Sequence, residues 1–180
     1  MGHIKIRIDQ YCRTVPNYPV EGVNFYDLNS LFSSPVWHEV VVQSAHGCGE
    51  GFLFPTHIVG IESRGFVLGA ALAHEMKLPF TMIRKKGAKY PGKLLEESYE
   101  LEYGVDTLTL QEGILGHTAR VIIADDLIAT GGSMIATKRL IEQTGAKVLG
   151  GVSIVNLEYL NRAEIHKQQF WTVNSLEVKK

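Results

Sequence analysis

Two cysteines in 180 residues, Cys12 and Cys48, provide no disulfide framework, and neither stands in a C-x-x-C or zinc-ligand spacing. A reduced, cytoplasmic setting is therefore expected. Neither sign of charge dominates: 18 Lys and Arg against 19 Asp and Glu give a formal net charge of −1, so no global field draws nucleic acid or membrane. A continuous apolar run of about 18 residues is missing, as is a charged-then-apolar leader with a small-residue cleavage site, and neither membrane insertion nor classical secretion is expected. The seven histidines form no H-E-x-x-H pattern; His38-Glu39 and His74-Glu75 come nearest, and no metal role is expected for them. No Walker lysine follows a glycine loop and no G-x-G-x-x-G occurs, which argues against a P-loop NTPase or a dinucleotide fold. Internal repeats and low-complexity linkers are also absent. What remains is an ordinary globular composition, 45% hydrophobic with mean hydropathy +0.02, enough for one domain with a substantial core.

The first thirty residues are turn-rich, "VPNYPVEGVNFYDLNS" among them, and read as a small cap. The segment from Trp37 to Gly47 carries Val40, Val41 and Ala45 on one helical side. An alternation follows: "HIVGI" as strand, "FVLGAALAHEM" as helix, "FTMI" and "ARVIIA" as strands, a helix after Ser133, and "KVLGGVSIV" as strand. Apolar strands alternating with amphipathic helices predict an α/β fold with a mostly parallel, doubly wound sheet. Between Arg84 and Leu110 the pattern breaks. "RKKGAKYPGKLLEE" is polar and glycine-containing, and "SYELEYGVDTLTL" reads as two extended segments joined around Gly104 and Asp106. An excursion of this length in a compact domain suggests a mobile functional loop, placed at about 85–98.

Chemistry concentrates in "VIIADDLIATGGSM", Val121 to Met134. Val121 to Ala124 read as a strand buried on both faces and ending near Asp125, and the apolar spacing from Met134 to Ile141 is helical. The intervening loop thus lies where open α/β sheets bind ligands. Unpaired N–H groups at the helix start suit a phosphate, and glycines allow it a close approach. Thr130 and Ser133 add hydroxyl donors, while Asp125 and Asp126 could accept from sugar hydroxyls or lie near a bound Mg²⁺. A plain capped turn with solvated acids is the alternative, but the clustering of acids at a sheet's carboxyl end favours a sugar-phosphate holder.

"GIESRGFVLGAALA" repeats this strand-loop-helix plan around Glu62, Ser63, Arg64 and Gly65, where Arg64 and backbone N–H groups could hold a second anion. Arg84, Lys85, Lys86, Lys89 and Lys93 add positive charge near the same edge; only Tyr90 is interleaved, too little for a nucleic-acid surface. Glu100 and Glu102, two apart on an extended segment, project to one face.

The motif "VIIADDLIATGG" resembles the 5-phosphoribosyl-1-pyrophosphate (PRPP) motif of type I phosphoribosyltransferases, and "ESRGF", "IRKKG", "YPG" and "SYELEYG" resemble the adenine branch of that family. The resemblance runs from about Val15 to Leu157. It implies a type I phosphoribosyltransferase fold: a hood at 1–34 over the base site, an α/β core at 35–160 and a C-terminal extension at 161–180 packed on the core. It further implies transfer of ribose 5-phosphate from PRPP to N9 of adenine, giving AMP and pyrophosphate with Mg²⁺ held mainly by PRPP and water, no protein side chain binding the metal directly. Ala129, Thr130, Gly131, Gly132 and Ser133 would cradle the 5′-phosphate, and Asp125 and Asp126 the ribose. Glu62, Ser63, Arg64, Arg84, Lys85 and Lys89 would meet pyrophosphate; the Glu62-Ser63 peptide is often cis in such proteins. Arg84 resembles a residue that reaches a neighbouring subunit's site, implying a homodimer. Asn24, Phe25 and Tyr26 match the adenine hood, with Phe25 stacking and Leu127 on the opposite face of the base. Glu102, by its match to "LEYG", or Glu100 would exchange a proton at adenine N7. Three departures stand out: Glu62 where aspartate is commoner, Tyr26 where arginine is frequent, and a "GAKYPG" loop one residue longer than usual. A PRPP-binding transcriptional regulator would be expected to add a basic DNA-binding segment, which is not visible. A 6-oxopurine transferase is left open by the hood sequence.

Overall fold

The computed structural model describes residues 10–18, 21–22, 24–101, 104–161 and 163–175. Strand β7 (Arg120–Ile128) is an interior strand of a seven-stranded sheet, pairing parallel with β3 (His57–Ile61) on one side and β8 (Lys147–Asn156) on the other. The order is β5-β6-β4-β3-β7-β8-β9, where β4 is Phe80–Lys85, β5 Leu94–Leu101, β6 Gly104–Gln111 and β9 Phe170–Ser175. β4 and β9 continue the parallel pairing, whereas β6 runs antiparallel to both β4 and β5. β3 and β7 are buried along nearly their whole length because helices cover both sheet faces, the reason such strands read as unbroken apolar runs.

One face carries α2 (Val36–Gly51) and α3 (Gly65–Met76), packed through Val40, Leu68 and Leu72 on Ile58, Ile122 and Val152. The other carries α4 (Gly132–Glu142), whose Met134, Leu140 and Ile141 meet Val59, Val121 and Ile123. Alternate residues of the same strands thus feed two separate apolar layers. The N-terminal region forms its own two-stranded antiparallel sheet, β1 (Arg13–Pro16) with β2 (Asn24–Asp27), followed by the short α1 (Asn29–Phe32).

Several expectations shift in detail. β7 does not stop near Asp125: Leu127 and Ile128 still pair with Val155 and Asn156 of β8, so both acids sit within a strand. Leu94 to Ser98, expected within the loop at 85–98, belong to β5 and pair with β6, which leaves 86–93 as the irregular part. The C-terminal region does more than pack on the core. Phe170–Ser175 adds a parallel edge strand to the sheet, with Trp171 lying directly against Gly47 of α2.

The fit of α3 onto the sheet depends on small residues. A Cβ at Gly69 would stand 2.7 Å from Phe80 Cε2, and one at Gly60 would stand 2.9 Å from the same atom. Gly49 of α2, by contrast, is exposed with nothing within 4 Å of a built Cβ. Gly69→Ala is therefore expected to destabilise by about 1–3 kcal/mol through overpacking, and Gly49→Ala to stabilise by about 0.5–1 kcal/mol by relieving helix-glycine entropy. Urea unfolding of the two variants should move in opposite directions; a shared direction would count against this packing.

Candidate functional site

The carboxyl ends of β3, β4 and β7 open onto a cavity of about 690 Å³ that brings together Phe25, Arg64, Arg84, Lys85, Asp125 and Asp126. Glu62 and Ser63, joined by a cis peptide, and Leu127 and Ser133 reach the same cavity. Residues from four separate stretches of the chain thus meet at the edge expected for ligands in an open α/β sheet.

Asp125 and Asp126 are 8% and 5% exposed. The Asp126 amide donates to Asp125 Oδ1 at 2.9 Å, and Ser133 Oγ donates to Asp125 Oδ2 at 3.5 Å. Arg64 Nε lies 2.7 Å from Asp126 Oδ2, yet its N–H is not aligned on that oxygen, which has no hydrogen-bond donor. The pair is thus charge-compensated, while Asp126 Oδ2 stays buried and, among the described residues, without a donor. Burial pushes the Asp125 carboxyl well above the ordinary range, and the Asp126 charge adds to this; burial also raises Asp126, against the pull of Arg64. α3 can begin this close only at a glycine, because a Cβ on Gly65 would stand 2.8 Å from the Ala124 carbonyl oxygen and 2.9 Å from Asp125 Oδ1.

Each of the three cations is paired with its own carboxylate. Besides the Arg64–Asp126 pair, Arg84 lies 3.3 Å from Glu62 and Lys85 Nζ lies 2.8 Å from Asp106 Oδ2. The Lys85 amide also donates to Glu62 Oε2 at 2.7 Å, which ties the end of β4 to the Glu62-Ser63 turn. Arg64 stands 5.4 Å from the Phe25 ring centroid and Arg84 stands 5.7 Å from that of Tyr90, both within cation–π range. Arg84, expected from the resemblance to reach a neighbour's site, lies in its own chain's cavity.

Thr130, Gly131 and Gly132 border an adjoining cavity of about 530 Å³ together with Glu100. Gly131 caps α4 with φ 84°, a left-handed backbone that favours glycine, and leaves the first amides of α4 at the loop. Not every expected residue joins the two cavities. Asn24 is exposed, Tyr26 and Ala129 pack against the core, and Lys89 is exposed on the loop between β4 and β5. Glu102 lies outside the described residues. Sequence reasoning missed Tyr99, which borders both cavities, and Ala88. Burial, with the nearby Asp106 charge adding to it, pushes the Tyr99 hydroxyl up to about 12.

The phosphoribosyl transferase domain model matches residues 51–179. Adenine phosphoribosyltransferase of Acidovorax sp. (strain JS42) is 43% identical over 156 residues, 86% of this chain and 84% of that protein. The crystal structure of adenine phosphoribosyltransferase from Rhodothermus marinus DSM 4252 superimposes with a TM-score of 0.82 at 37% identity, covering 94% of this chain and 96% of that one. The Saccharomyces cerevisiae enzyme, crystallised with D-2,5-dideoxy-2,5-imino-altritol 1,6-bisphosphate and adenine, gives 0.83 at 32% identity over 93% of this chain and 96% of that one. The fold, the paired acids and these matches define a class: the chain belongs to the type I phosphoribosyltransferase family. Within it, the chain groups with the adenine phosphoribosyltransferases.

The buried acids carry a stability cost with a definite sign. A carboxyl whose folded pKa lies above its unfolded value stabilises fully below the ordinary range near 3.8, and that contribution is lost as pH rises through the folded pKa. Asp125→Asn keeps an acceptor for the Asp126 amide while removing one buried charge. At pH 7 the unliganded variant is expected to unfold at a higher urea concentration than the parent, with the gap narrowing as the pH falls towards the carboxyl range. Equal midpoints at pH 7 would contradict this account.

Proposed function

We propose that the protein transfers ribose 5-phosphate from PRPP to N9 of adenine, releasing AMP and pyrophosphate. The observation that carries the reading is the buried Asp125–Asp126 pair near the end of β7, followed after that strand by the glycine loop of α4 and faced by three cations across one cavity. The reaction breaks the bond from the anomeric carbon to pyrophosphate, so negative charge grows on the leaving group while the ribose ring gains oxocarbenium character. Arg64, Arg84 and Lys85 stand where that departing charge would collect, and Asp125 and Asp126 where ribose hydroxyls would donate. The loop from Ala129 to Ser133 takes the 5′-phosphate. Phe25 and Leu127, from the hood and from β7, hold the base between them; Asn24 and Tyr26 belong to this reading through the backbone of β2. Lys89 belongs to the pyrophosphate set when the loop at 86–93 folds over the cavity and excludes water.

Among the described residues no three His, Cys, Asp or Glu side chains cluster as a metal cage. Two carboxylates with an undonated Asp126 Oδ2 suit a Mg²⁺ ion that takes most of its oxygens from PRPP and water, meeting the acids through hydroxyls or water. Its contribution is to neutralise charge on the leaving pyrophosphate. A homodimer and a cytoplasmic location complete the reading.

Turnover of PRPP with adenine, hypoxanthine, guanine and xanthine, measured side by side, tests the assignment, with adenine expected to be strongly preferred. Asp125→Asn combined with Asp126→Asn should abolish PRPP binding in calorimetry while the chain stays folded; unchanged affinity would defeat the assignment of the ribose site.

The proton at adenine N7 is assigned to Glu102, with Glu100 as the alternative. Loss of a positioned acid or base typically costs about 10²- to 10⁴-fold in rate. Glu102→Gln, or failing that Glu100→Gln, should lose turnover on that scale with PRPP affinity retained. Near-parental single-turnover rates in both single variants and the double variant would remove both residues from this role.

A further inference from the structure

Two of the three carboxylates paired with the cavity's cations belong to the strand-loop motifs already described, Asp126 within β7 and Glu62 after β3. The third does not. Asp106 lies on β6, in the hairpin, and holds Lys85 Nζ at 2.8 Å. Its carboxylate is fixed independently of that lysine: the Thr107 amide donates to Oδ1 at 2.8 Å and Tyr99 Oη donates to Oδ2 at 3.3 Å. Partial burial works to raise its pKa, but the hydrogen bonds from Lys85, the Thr107 amide and Tyr99, with the Lys85 charge, outweigh this and hold it below the ordinary value, so it stays ionised. Lys85 is the more exposed partner, with its side chain 52% exposed against 21% for Asp106.

Asp106 does not itself line the cavity, yet it holds a cation that does, Lys85. We propose that Asp106 acts as a built-in competitor of pyrophosphate for Lys85: it holds the ammonium group while the cavity is empty, yields it to the entering diphosphate, and recaptures it as pyrophosphate leaves. The inference rests on the pyrophosphate role proposed above for the cavity and concerns how tightly that group is held. When Lys85 turns to the ligand, Asp106 keeps the Tyr99 and Thr107 donors, which hold it in place for the return. The exchange trades the Lys85–Asp106 ion pair for one with the ligand and leaves the Asp106 carboxylate held only by its two neutral donors, a cost that favours the return of Lys85. A site holding three unpaired cations would instead bind a polyanionic product more tightly and release it more slowly.

Asp106→Asn removes the charge with little change in shape. Calorimetric titration with magnesium pyrophosphate, with product inhibition measured alongside, should show binding tightened about three- to tenfold in the variant, the scale of one partly screened ion pair. The gain should shrink at high salt. In a Lys85→Ala background the same change should leave only a small residual effect, because the contested cation is gone. Unfolding midpoints of the variants identify any that fail to fold, and for such a variant Asp106→Ser provides the same loss of charge. Unchanged or weaker pyrophosphate binding in Asp106→Asn would overturn the inference, as would an equal gain without Lys85. A parent protein that binds no magnesium pyrophosphate would instead refute the reading of the cavity itself, and this inference with it.

Discussion

Asp125 and Asp126 are neighbours in sequence and both buried, and two adjacent carboxylates out of water are unfavourable unless other groups compensate them. Most of the site's construction follows from that constraint. Arg64 is held beside Asp126, the Asp126 amide and the Ser133 hydroxyl turn to Asp125, and α3 begins at Gly65 because any larger residue would press on the Asp125 side chain. The compensation is partial by design of the geometry: Asp126 Oδ2 has a nearby charge but no aligned donor. On the proposed reading, ribose hydroxyls would supply what the unliganded protein leaves open, so part of the binding free energy would come from groups already desolvated and fixed.

The same logic governs the cations. Arg64, Arg84 and Lys85 converge on one cavity without leaving it strongly positive, because each has a carboxylate of its own at 2.7, 3.3 and 2.8 Å respectively. Local neutrality permits three cations to sit close together in a folded chain of almost zero net charge. It also means that an anionic ligand enters by exchanging partners rather than by filling a bare positive field, which moderates affinity and favours turnover.

The β5–β6 hairpin links this chemistry to the rest of the fold. Gln143 Nε2 donates to Glu97 Oε2 at 3.1 Å and to the Glu96 carbonyl at 3.4 Å, anchoring β5 to the far end of α4. At the near end the Tyr99 ring and the Glu100 carbonyl lie about the Gly132 position, each within ordinary contact of a built Cβ there, at 3.4 and 3.5 Å. The glycine loop is therefore bounded by a strand distant in sequence, and the hairpin that covers the loop also supplies Asp106 to Lys85.

Short-range patterns carried much of this in the chain itself. The apolar run at Val121–Ala124, the acids after it and the glycines before α4 are local signals, because strand burial, helix start and phosphate-loop chemistry depend on residues within a few positions of one another. The helix from Val36, the strands at His57 and Lys147 and the parallel sheet were legible for the same reason. Pairing across the sheet was not. β7 continues to Ile128 because β8 offers partners there, Phe170–Ser175 becomes a strand because β8 has a free edge, and Leu94–Ser98 becomes one because β6 lies beside it. The local segments also offered Arg64, Arg84 and Lys85 as candidate cations for an anion, but not the carboxylates that hold them. The pairing of Lys85 with Asp106 joins residues 21 positions apart whose meeting depends on a hairpin folding back beside β4, a contact between distant segments that no local pattern encodes.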